Sequence, residues 1–581
     1  MEEVNAKPRS RLARLAARLD AFNEFEREPI APDRLQGGRH FAAIFGGEHV
    51  AGTEFVIGSF FVLHGVSARD LLLGLIAGNI LAVLSWTFIC APIATRVRLT
   101  LYWYLRRIGG PGLGVVYSIA NGLLFCFLAG AMIALCADAV CTGIEIFLEN
   151  LDIQFAHPTL ADKVPTSAGW VLMVLICGGL VTTLAILGFE RMAKFASTCV
   201  PWMFLIFIAG ALAMLPSLGF KDFGDLWSVA EKIWNGQPKG GKEHFTFWHV
   251  ASFAWFCNLC THIDLSDMAL FRYARHWSYG LYSAIGMFLG HFVAWICSGV
   301  MCAAFIGEEV KNPTLLIGRM SYEAAGVAGI LCVLFASWTT ANPTLYRAGL
   351  ALQIATPGWP RWKVTLVAGL VTSIAACFPF FVMQLLDFVA LFGLVLMPVG
   401  AIVFAEHWLF PRLGLTQYWT DRKGLLVNPA AAITWIASLL FCFLFLSRAL
   451  GVHLFFLWLP GYLTALILYI GLSALLGARG IRPGAGAAEK VALAAAAEAP
   501  KRVPAGIPAR FPLWRECAAA VAVSSLASIA AAALCRLLGR VDPGAFYAWV
   551  NVSTVFWFVA GPLWLTPGLF GIACKPIARV P

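Results

Sequence analysis

The sequence predicts an all-α polytopic membrane protein, and composition, hydropathy and the length of the apolar runs carry this prediction. Of the 581 residues, 60% are hydrophobic and only 13% are charged, about half the charged share of soluble domains. The mean hydropathy is +0.78. Continuous apolar runs of about 20 residues recur along the chain, each long enough to cross a bilayer. Because backbone N–H and C=O groups inside lipid must find their hydrogen-bond partners within the same segment, these runs are expected to be helices.

The apolar runs predict about fourteen membrane-crossing segments. They lie near residues 41–64, 70–94, 112–148, 168–189, 195–218, 248–270, 280–306, 325–355, 363–383, 385–409, 430–450, 453–477, 517–536 and 545–573. The third run is longer than a bilayer requires, which predicts a tilted helix.

The distribution of Lys and Arg predicts the orientation of these segments. The residues that share one side, if segments alternate, are Lys7, Arg9, Arg11, Arg14, Arg18, Arg96, Arg98, Arg106, Arg107, Arg191, Lys194, Arg272, Arg275, Arg361, Lys363, Arg412, Arg422 and Lys423. The opposite loops are acidic or balanced, with Arg536 and Arg540 as exceptions. By the positive-inside rule we expect a multi-pass protein of the cell (inner or plasma) membrane with both termini in the cytoplasm. The net charge of +10 is thereby explained without a nucleic-acid partner.

Sixteen cysteines lie mostly inside apolar runs, so we predict free thiols and no structural disulfides. One pattern, Cys257-x-x-Cys260 followed by His262 and Asp264, raises the possibility of a metal site. A structural zinc site requires a closed tetrahedral ligand set. A single CxxC in an apolar helix does not provide one, so packing is the favoured interpretation.

The first apolar run contains the residues least suited to a continuous membrane helix. It reads Gly46-Gly47-Glu48-His49, followed by Gly52-Thr53-Glu54. Glycines weaken a helix, and ionisable residues at membrane depth usually mark function. An interrupted helix exposes carbonyl groups that can coordinate a cation. The alternative is close helix packing at the glycines, with Glu48 and His49 paired internally.

Two later runs are also unusual. The sixth loses its apolar character from Asn258 to Asp264, although His262 and Asp264 could instead lie at the headgroups. In the eighth, Thr339 and Thr340 follow Ala336 by three and four residues and so share a helix face with its carbonyl. Such neutral oxygens suit Na⁺, although these threonines could simply bond to their own helix. Because runs one and six are five apart and both interrupted, they predict a transporter binding site.

At these residues the chain resembles the nucleobase–cation symporter family, the purine, cytosine, hydantoin and allantoin permeases. The resemblance covers about residues 38–470. The stretches that carry it are His49 to Phe61 (HVAGTEFVIGSFF), Gly188 to Lys194 (GFERMAK), Ala336 to Asn342 (ASWTTAN), and Leu386-Asp387 through Pro398 to Glu406-His407. It implies a leucine-transporter-type fold, in which two inverted repeats of five helices are followed by two more.

The apolar runs and the composition, taken together with the resemblance, predict the following organisation. Residues 1–40 are the cytoplasmic tail, 41–218 the first repeat, 248–409 the second repeat, and 430–477 helices 11 and 12. Residues 478–514, rich in Ala, Gly and Pro, form a cytoplasmic linker. Residues 515–581 form an extra helix pair.

The resemblance also implies a site. The Na⁺ ligands would come from Gly47, Val50, Ala336, Thr339 and Thr340. The predicted solute contacts are Glu48, His49, Trp255, Asn258, Trp338 and Asn342, with Trp255 stacking on a planar ring. The chain departs from the family at Phe125 to Ile133, where no amide is present, at Leu345, at the spacing from Asp267 to Arg272, and at the charged Glu48.

We therefore predict a cation-coupled secondary transporter, not an enzyme, that takes up a small polar solute such as a nucleobase-like heterocycle. Na⁺ is the favoured coupling ion, and no other cofactor is expected. Glu48 and His49 make H⁺ coupling an alternative because both can change charge near neutral pH when buried. A transporter-derived sensor or regulator is a second alternative. The sequence does not specify the oligomeric state.

Overall fold

The computed structural model describes residues 27–149, 163–305, 317–479 and 513–566. Within these ranges the chain is almost wholly helical, apart from turns and two isolated β-bridges. Eleven helices of the described chain are long and apolar enough to cross a membrane. The prediction of an all-α polytopic fold is therefore confirmed.

The helices are numbered here in chain order. They are α1 Gly38–His49, α2 Thr53–Leu63, α3 Ala68–Val97, α4 Leu101–Glu149, α5 Ala168–Ile186, α6 Phe189–Leu218, α7 Leu226–Ile233, α8 Phe247–Phe256, α9 Leu259–His262, α10 Met268–Phe271, α11 Trp277–Phe305, α12 Ile317–Ala355, α13 Arg361–Ala376, α14 Leu385–Phe404, α15 Pro429–Ala449, α16 Leu454–Leu476, α17 Leu513–Leu537 and α18 Pro543–Leu565.

Eleven of the fourteen predicted segments coincide with these long apolar helices. The first and sixth are each divided into shorter helices, where the sequence predicted interruptions. The ninth, expected over 363–383, is shorter than predicted: α13 has 16 residues and ends at Ala376. Pro379 follows closely, and proline cannot continue a helix.

The third segment begins earlier than expected. α4 starts at Leu101 and departs from helical geometry at Gly110 (φ 80°), just before Pro111. The start predicted at residue 112 therefore marks the kink and not the helix end. The residues 1–26, and 480–512 of the predicted linker, lie outside the described ranges.

The long helices α4 and α12 lie side by side at the centre of the molecule. The divided first segment packs around them, with α1 against α6 and α11, and α2 against α11. In the divided sixth segment, α8 packs on α3 and α9 contacts α14. This arrangement places both interruptions inside the protein, where non-helical backbone is tolerated at membrane depth.

The extra pair, α17 and α18, packs against α6 and α12. The Trp202 indole N–H donates to Thr554 Oγ1 at 2.9 Å, and that of Trp557 donates to the Thr198 carbonyl at 3.1 Å. The Phe558 ring lies 5.0 Å from the Trp202 ring and 4.9 Å from that of Phe335. The pair therefore packs along the contact between α6 and α12, where both hydrogen bonds and aromatic packing hold it.

Asn551 of α18 supports a kink in α12. The backbone of α12 departs from helical geometry at Ala325 and Gly326 (φ 62°), and the N–H of Ala328 donates to Asn551 Oδ1 at 3.0 Å. Asn551→Ala is expected to lower the free energy of unfolding by about 1–3 kcal/mol because a buried N–H loses its acceptor. Chemical unfolding in detergent measures this change.

Ser553→Ala is the matched control for Asn551→Ala. Its hydroxyl bonds only Ser528, inside the pair, at 3.0 Å. The expected loss for Ser553→Ala is about 1 kcal/mol or less. A loss for Asn551→Ala no greater than that of the control would show that Asn551 does not support the kink.

Candidate functional site

The first interruption lies between α1, which ends at His49, and α2, which begins at Thr53. Val50 has non-helical angles (φ −93°, ψ 68°). A glycine of α11, Gly290, packs directly on this point: a Cβ built there would lie 1.9 Å from the His49 carbonyl oxygen. Carbonyl groups at such a helix end lack intrahelical partners and can bind other groups.

The second interruption follows Phe256, where α8 ends. After the single turn α9, Leu265 adopts a positive φ of 67° although its side chain is fully buried. His262 and Asp264 are both fully buried inside the protein, and their depth in the membrane stays a prediction. His262 Nε2 lies 3.0 Å from the Trp255 carbonyl, so this carbonyl near the end of α8 has a side-chain hydrogen-bond partner.

A buried ionic network joins the two interruptions to α12. The guanidinium of Arg347 donates to both carboxylate oxygens of Glu48, at 2.5 and 3.0 Å. It also donates to Asp267 through Nε at 3.1 Å and through a second nitrogen. The indole of Trp86 donates to the other Asp267 oxygen at 2.6 Å. Glu48 was predicted as a solute contact and possible proton carrier, but its carboxylate is held in this network.

The predicted cation ligands lie together where α12 meets the end of α1. The hydroxyl of Thr340 is 3.0 Å from the carbonyl oxygens of both Ala336 and Glu48. The Thr339 hydroxyl is 3.2 Å from the Ala336 carbonyl. Gly47 packs on Thr339, since a Cβ built at Gly47 would lie 3.4 Å from Thr339 Cβ.

Both threonines do bond to their own helix, as the alternative interpretation proposed. Bonding within one helix does not explain the contact from Thr340 to α1, because this contact joins two helices. Neutral oxygens at an interrupted helix are the groups that coordinate Na⁺ in transporters. Val50 lies in the break, and the Glu48 carbonyl, which we did not predict, is an additional oxygen at this place. The Na⁺ ligand set stays a prediction.

A cavity of about 800 Å³, counting its open mouth, lies between the two interruptions. The residues that line it are Glu48, His49, Thr53, Glu54, Ile57, Phe125, Leu128, Phe253, Phe256, Cys257, Asn258, Cys260, Thr261, His291, Thr340, Leu385 and Ala390.

Three of the six predicted solute contacts, Glu48, His49 and Asn258, line this cavity. The other three do not. The Trp255 indole donates to Ser85 at 3.0 Å and packs edge-on against Trp458. The ring of Trp338 packs on Phe195, 4.9 Å away. Asn342 is buried, and its Oδ1 has no hydrogen-bond partner in the part of the chain that the structure describes. These three roles stay predictions from the resemblance.

The cavity also contains residues that we did not predict as contacts. Glu54 is 2% exposed, accepts a hydrogen bond from the Trp295 indole, and receives the Thr53 hydroxyl at 3.2 Å. His291 stacks on Trp295 with ring centroids 4.3 Å apart. Its Nδ1 lies 3.7 Å from Cys257 Sγ. An ionisable residue within an apolar run, such as His291, is a signal that could have identified it.

Cys257 and Cys260 do not form a metal centre with His262 and Asp264. Among the described residues, no three His, Cys, Asp or Glu side chains are grouped as a metal site would require. The fifteen cysteines in this part of the chain are free thiols.

Several solved structures of transporters share this fold. One is Mhp1, a nucleobase-cation-symport-1 family transporter in a closed conformation with bromovinylhydantoin bound. It shares 17% sequence identity with the chain at a TM-score of 0.62, over 82% of this chain and 100% of that one. The inward-facing conformation of Mhp1 gives 16% identity and a TM-score of 0.57, over 77% of this chain and 92% of that one.

A substrate-bound, outward-open Na⁺-coupled sialic acid symporter has 13% identity and a TM-score of 0.52, over 80% of this chain and 97% of that one. No family model and no curated protein matches the sequence. At these identities the likeness shows a shared fold. The resemblance expected from the sequence is confirmed at that level.

Proposed function

We propose that the chain is a secondary active transporter that takes up a small polar solute by alternating access, coupled to a cation. The observation that carries this proposal is the cavity between two interrupted helices, with the Thr340 hydroxyl bridging from α12 to the end of α1. Interrupted helices in corresponding halves mark the binding site in transporters of this architecture. A solute and an ion that together stabilise one conformation couple the two movements.

Na⁺ is the favoured ion because the oxygens around Thr340 and Ala336 are neutral and lie at a helix break. A nucleobase-like or related heterocycle is the favoured solute, on the resemblance to the symporter family. The protein is placed in the cell membrane with both termini cytoplasmic, on the distribution of Lys and Arg. H⁺ coupling is the alternative, since the cavity contains the buried ionisable groups Glu54, His49 and His291.

The threonine pair gives a direct test of Na⁺ coupling. Thr339→Ala combined with Thr340→Ala is expected to abolish Na⁺-dependent uptake, because two hydroxyl ligands are removed while the fold is kept. Uptake of nucleobases, hydantoins, vitamins and amino acids into proteoliposomes, with and without a Na⁺ gradient, measures it. A thermal-shift screen of the same compounds identifies binders, because ligands that bind the folded state raise its apparent stability.

Thr183→Ala is the matched control. This threonine also bonds to its own helix, at 2.8 Å from the Gly179 carbonyl, but lies on an exposed face of α5. It should leave Na⁺ dependence unchanged. Unchanged Na⁺ dependence in the double variant would refute the cation assignment.

The main alternative function is a transporter-derived sensor, with α17 and α18 contacting a partner. Accumulation of a solute inside proteoliposomes distinguishes a transporter from a sensor. A solute that stabilises the protein, yet is never concentrated in proteoliposomes by a Na⁺ or H⁺ gradient, would favour the sensor and contradict transport.

A further inference from the structure

The cavity contains a carboxyl group that no cationic side chain pairs with. Two carboxyl groups, Glu48 and Glu54, line it, and the described residues of its lining include no Lys or Arg. Glu48 shares the single guanidinium of Arg347 with Asp267. Glu54 is left with two neutral donors, the Thr53 hydroxyl and the Trp295 indole. A buried carboxylate without a cationic partner is costly, and the cost is relieved either by uptake of a proton or by a positive group beside it.

His49 adds a hydrogen-bond acceptor to the carboxyl group of Glu54. His49 Nδ1 lies 2.9 Å from the Phe45 carbonyl and must carry the proton of that bond. In the neutral ring, Nε2 is then an acceptor. This atom is buried and has no hydrogen-bond partner among the described residues, and His49 lines the cavity. The lining thus includes a residue with a vacant acceptor in addition to the Glu54 carboxyl group.

His291 already has a partner for its acceptor. Its Nε2 lies 3.4 Å from the Asn258 amide nitrogen, which is a donor, so Nε2 accepts there. The Glu54 carboxylate receives only two donors and retains lone pairs for another. A solute that fits the vacant acceptors of His49 and Glu54 must bring hydrogen-bond donors.

Aromatic rings complete the cavity. Phe125, Phe253 and Phe256 line it together with the acceptors. The faces of aromatic rings attract cations, and more strongly when both are desolvated. The Arg347 guanidinium already lies 5.7 Å from the Phe125 ring centroid. A flat, positively charged group would therefore find both a carboxylate and ring faces.

We propose that the solute of this cavity is a small organic cation with N–H donors on a planar group, such as an amidinium or a protonated amino-heterocycle, held by Glu54 and His49. This inference rests on the proposed transport function and names the charge class of its solute. Asp264, whose carboxylate has no hydrogen-bond partner among the described residues, does not line the cavity and is not part of this site.

Three probes of nearly the same shape test the charge class: benzamidinium, neutral benzamide and anionic benzoate. Binding to the full chain in detergent is measured by thermal shift and by calorimetry. We expect benzamidinium to bind at least tenfold more tightly than benzamide, and benzoate not to bind. Equal binding of the cation and the amide, preference for benzoate, or binding of none of the three would overturn the proposal.

Two substitutions of Glu54 separate the effect of its charge from the effect of its shape. Glu54→Gln should lower benzamidinium affinity at least tenfold and remove the preference over benzamide, while Glu54→Asp should keep the preference. Because glutamine removes an unbalanced charge, the unliganded variant should melt no earlier than the parent. Glu323→Gln neutralises an exposed carboxylate of α12 and should change nothing. Undiminished selectivity in Glu54→Gln would overturn the role of Glu54.

The failure of this inference can be distinguished from failure of the proposed function. Gradient-driven accumulation of a neutral solute would contradict the cation inference and support transport. Selective benzamidinium binding without gradient-driven accumulation of benzamidinium or of any solute in the uptake screen would support the inference and contradict transport.

Discussion

Replacing Arg347 with methionine is expected to lower the free energy of unfolding by about 3–5 kcal/mol, because two buried carboxylates lose their shared cation. Arg347 has a fully buried side chain and contacts Glu48 from the first divided segment and Asp267 from the sixth. Lysine should not substitute, since it cannot reproduce the planar fork that bonds both oxygens of Glu48. Chemical or thermal unfolding in detergent measures the loss.

Rescue distinguishes the ionic network from packing. Adding Glu48→Gln and Asp267→Asn to Arg347→Met should recover most of the loss, because a buried ion network replaced as a whole is often neutral. Arg361→Met is the matched control. Arg361 is also buried but donates to the carbonyls of Ala185 and Ile186, at 3.0 and 2.6 Å. The two neutralising changes should not rescue it. An Arg347→Met protein as stable as the parent would refute the network's importance.

Gly290→Ala is expected to have the second largest effect. Its Cβ would lie 1.9 Å from the His49 carbonyl oxygen and 2.5 Å from the His49 carbonyl carbon. Both atoms are backbone, so α11 and the end of α1 must separate. Overpacking of this kind costs about 1–3 kcal/mol or more. The displaced carbonyl borders the cavity, so solute binding should weaken together with stability.

Gly471→Ala provides the comparison for Gly290→Ala. Gly471 lies in α16, is exposed, and has open space where a Cβ would be built. Alanine there should be neutral or stabilise by up to about 1 kcal/mol, the usual difference between the two residues in a helix. Melting temperatures and binding of the identified solute measure both variants. If the two variants behave alike, the close approach at Gly290 is not a constraint.

Much of the fold was predictable because membrane insertion leaves a strong local signal. A run of about 20 apolar residues specifies a helix by itself. The first interruption was predictable for the same reason, since Gly46, Gly47 and Glu48 conflict with that signal within one short stretch. The ninth segment was overestimated because Phe380 and its neighbours continue the apolar run past Pro379.

The site was predictable only in part because its decisive contacts are distant in sequence. Glu48 and Arg347 are 299 positions apart, and no local pattern pairs them. His291 is a single histidine in an apolar run, and only the fold brings it beside Trp295 and Cys257. The orientation of the Trp255 side chain could not be predicted from the sequence either, because its contacts with Ser85 and Trp458 determine it.

The terminal helix pair has a consequence for how the protein matures. Ribosomes make α6 and α12 long before α18, and folding of a nascent chain proceeds from the N-terminal end. Until α18 is inserted, the Trp202 indole N–H and the Phe335 ring lack the partners they have in Thr554 and Phe558. An indole donor without an acceptor in hydrocarbon is unfavourable. Insertion of α18 therefore supplies the hydrogen-bond acceptor of Trp202 and the ring that packs on Phe335 only late in translation. The contact between α6 and α12 reaches its full stability only at that point.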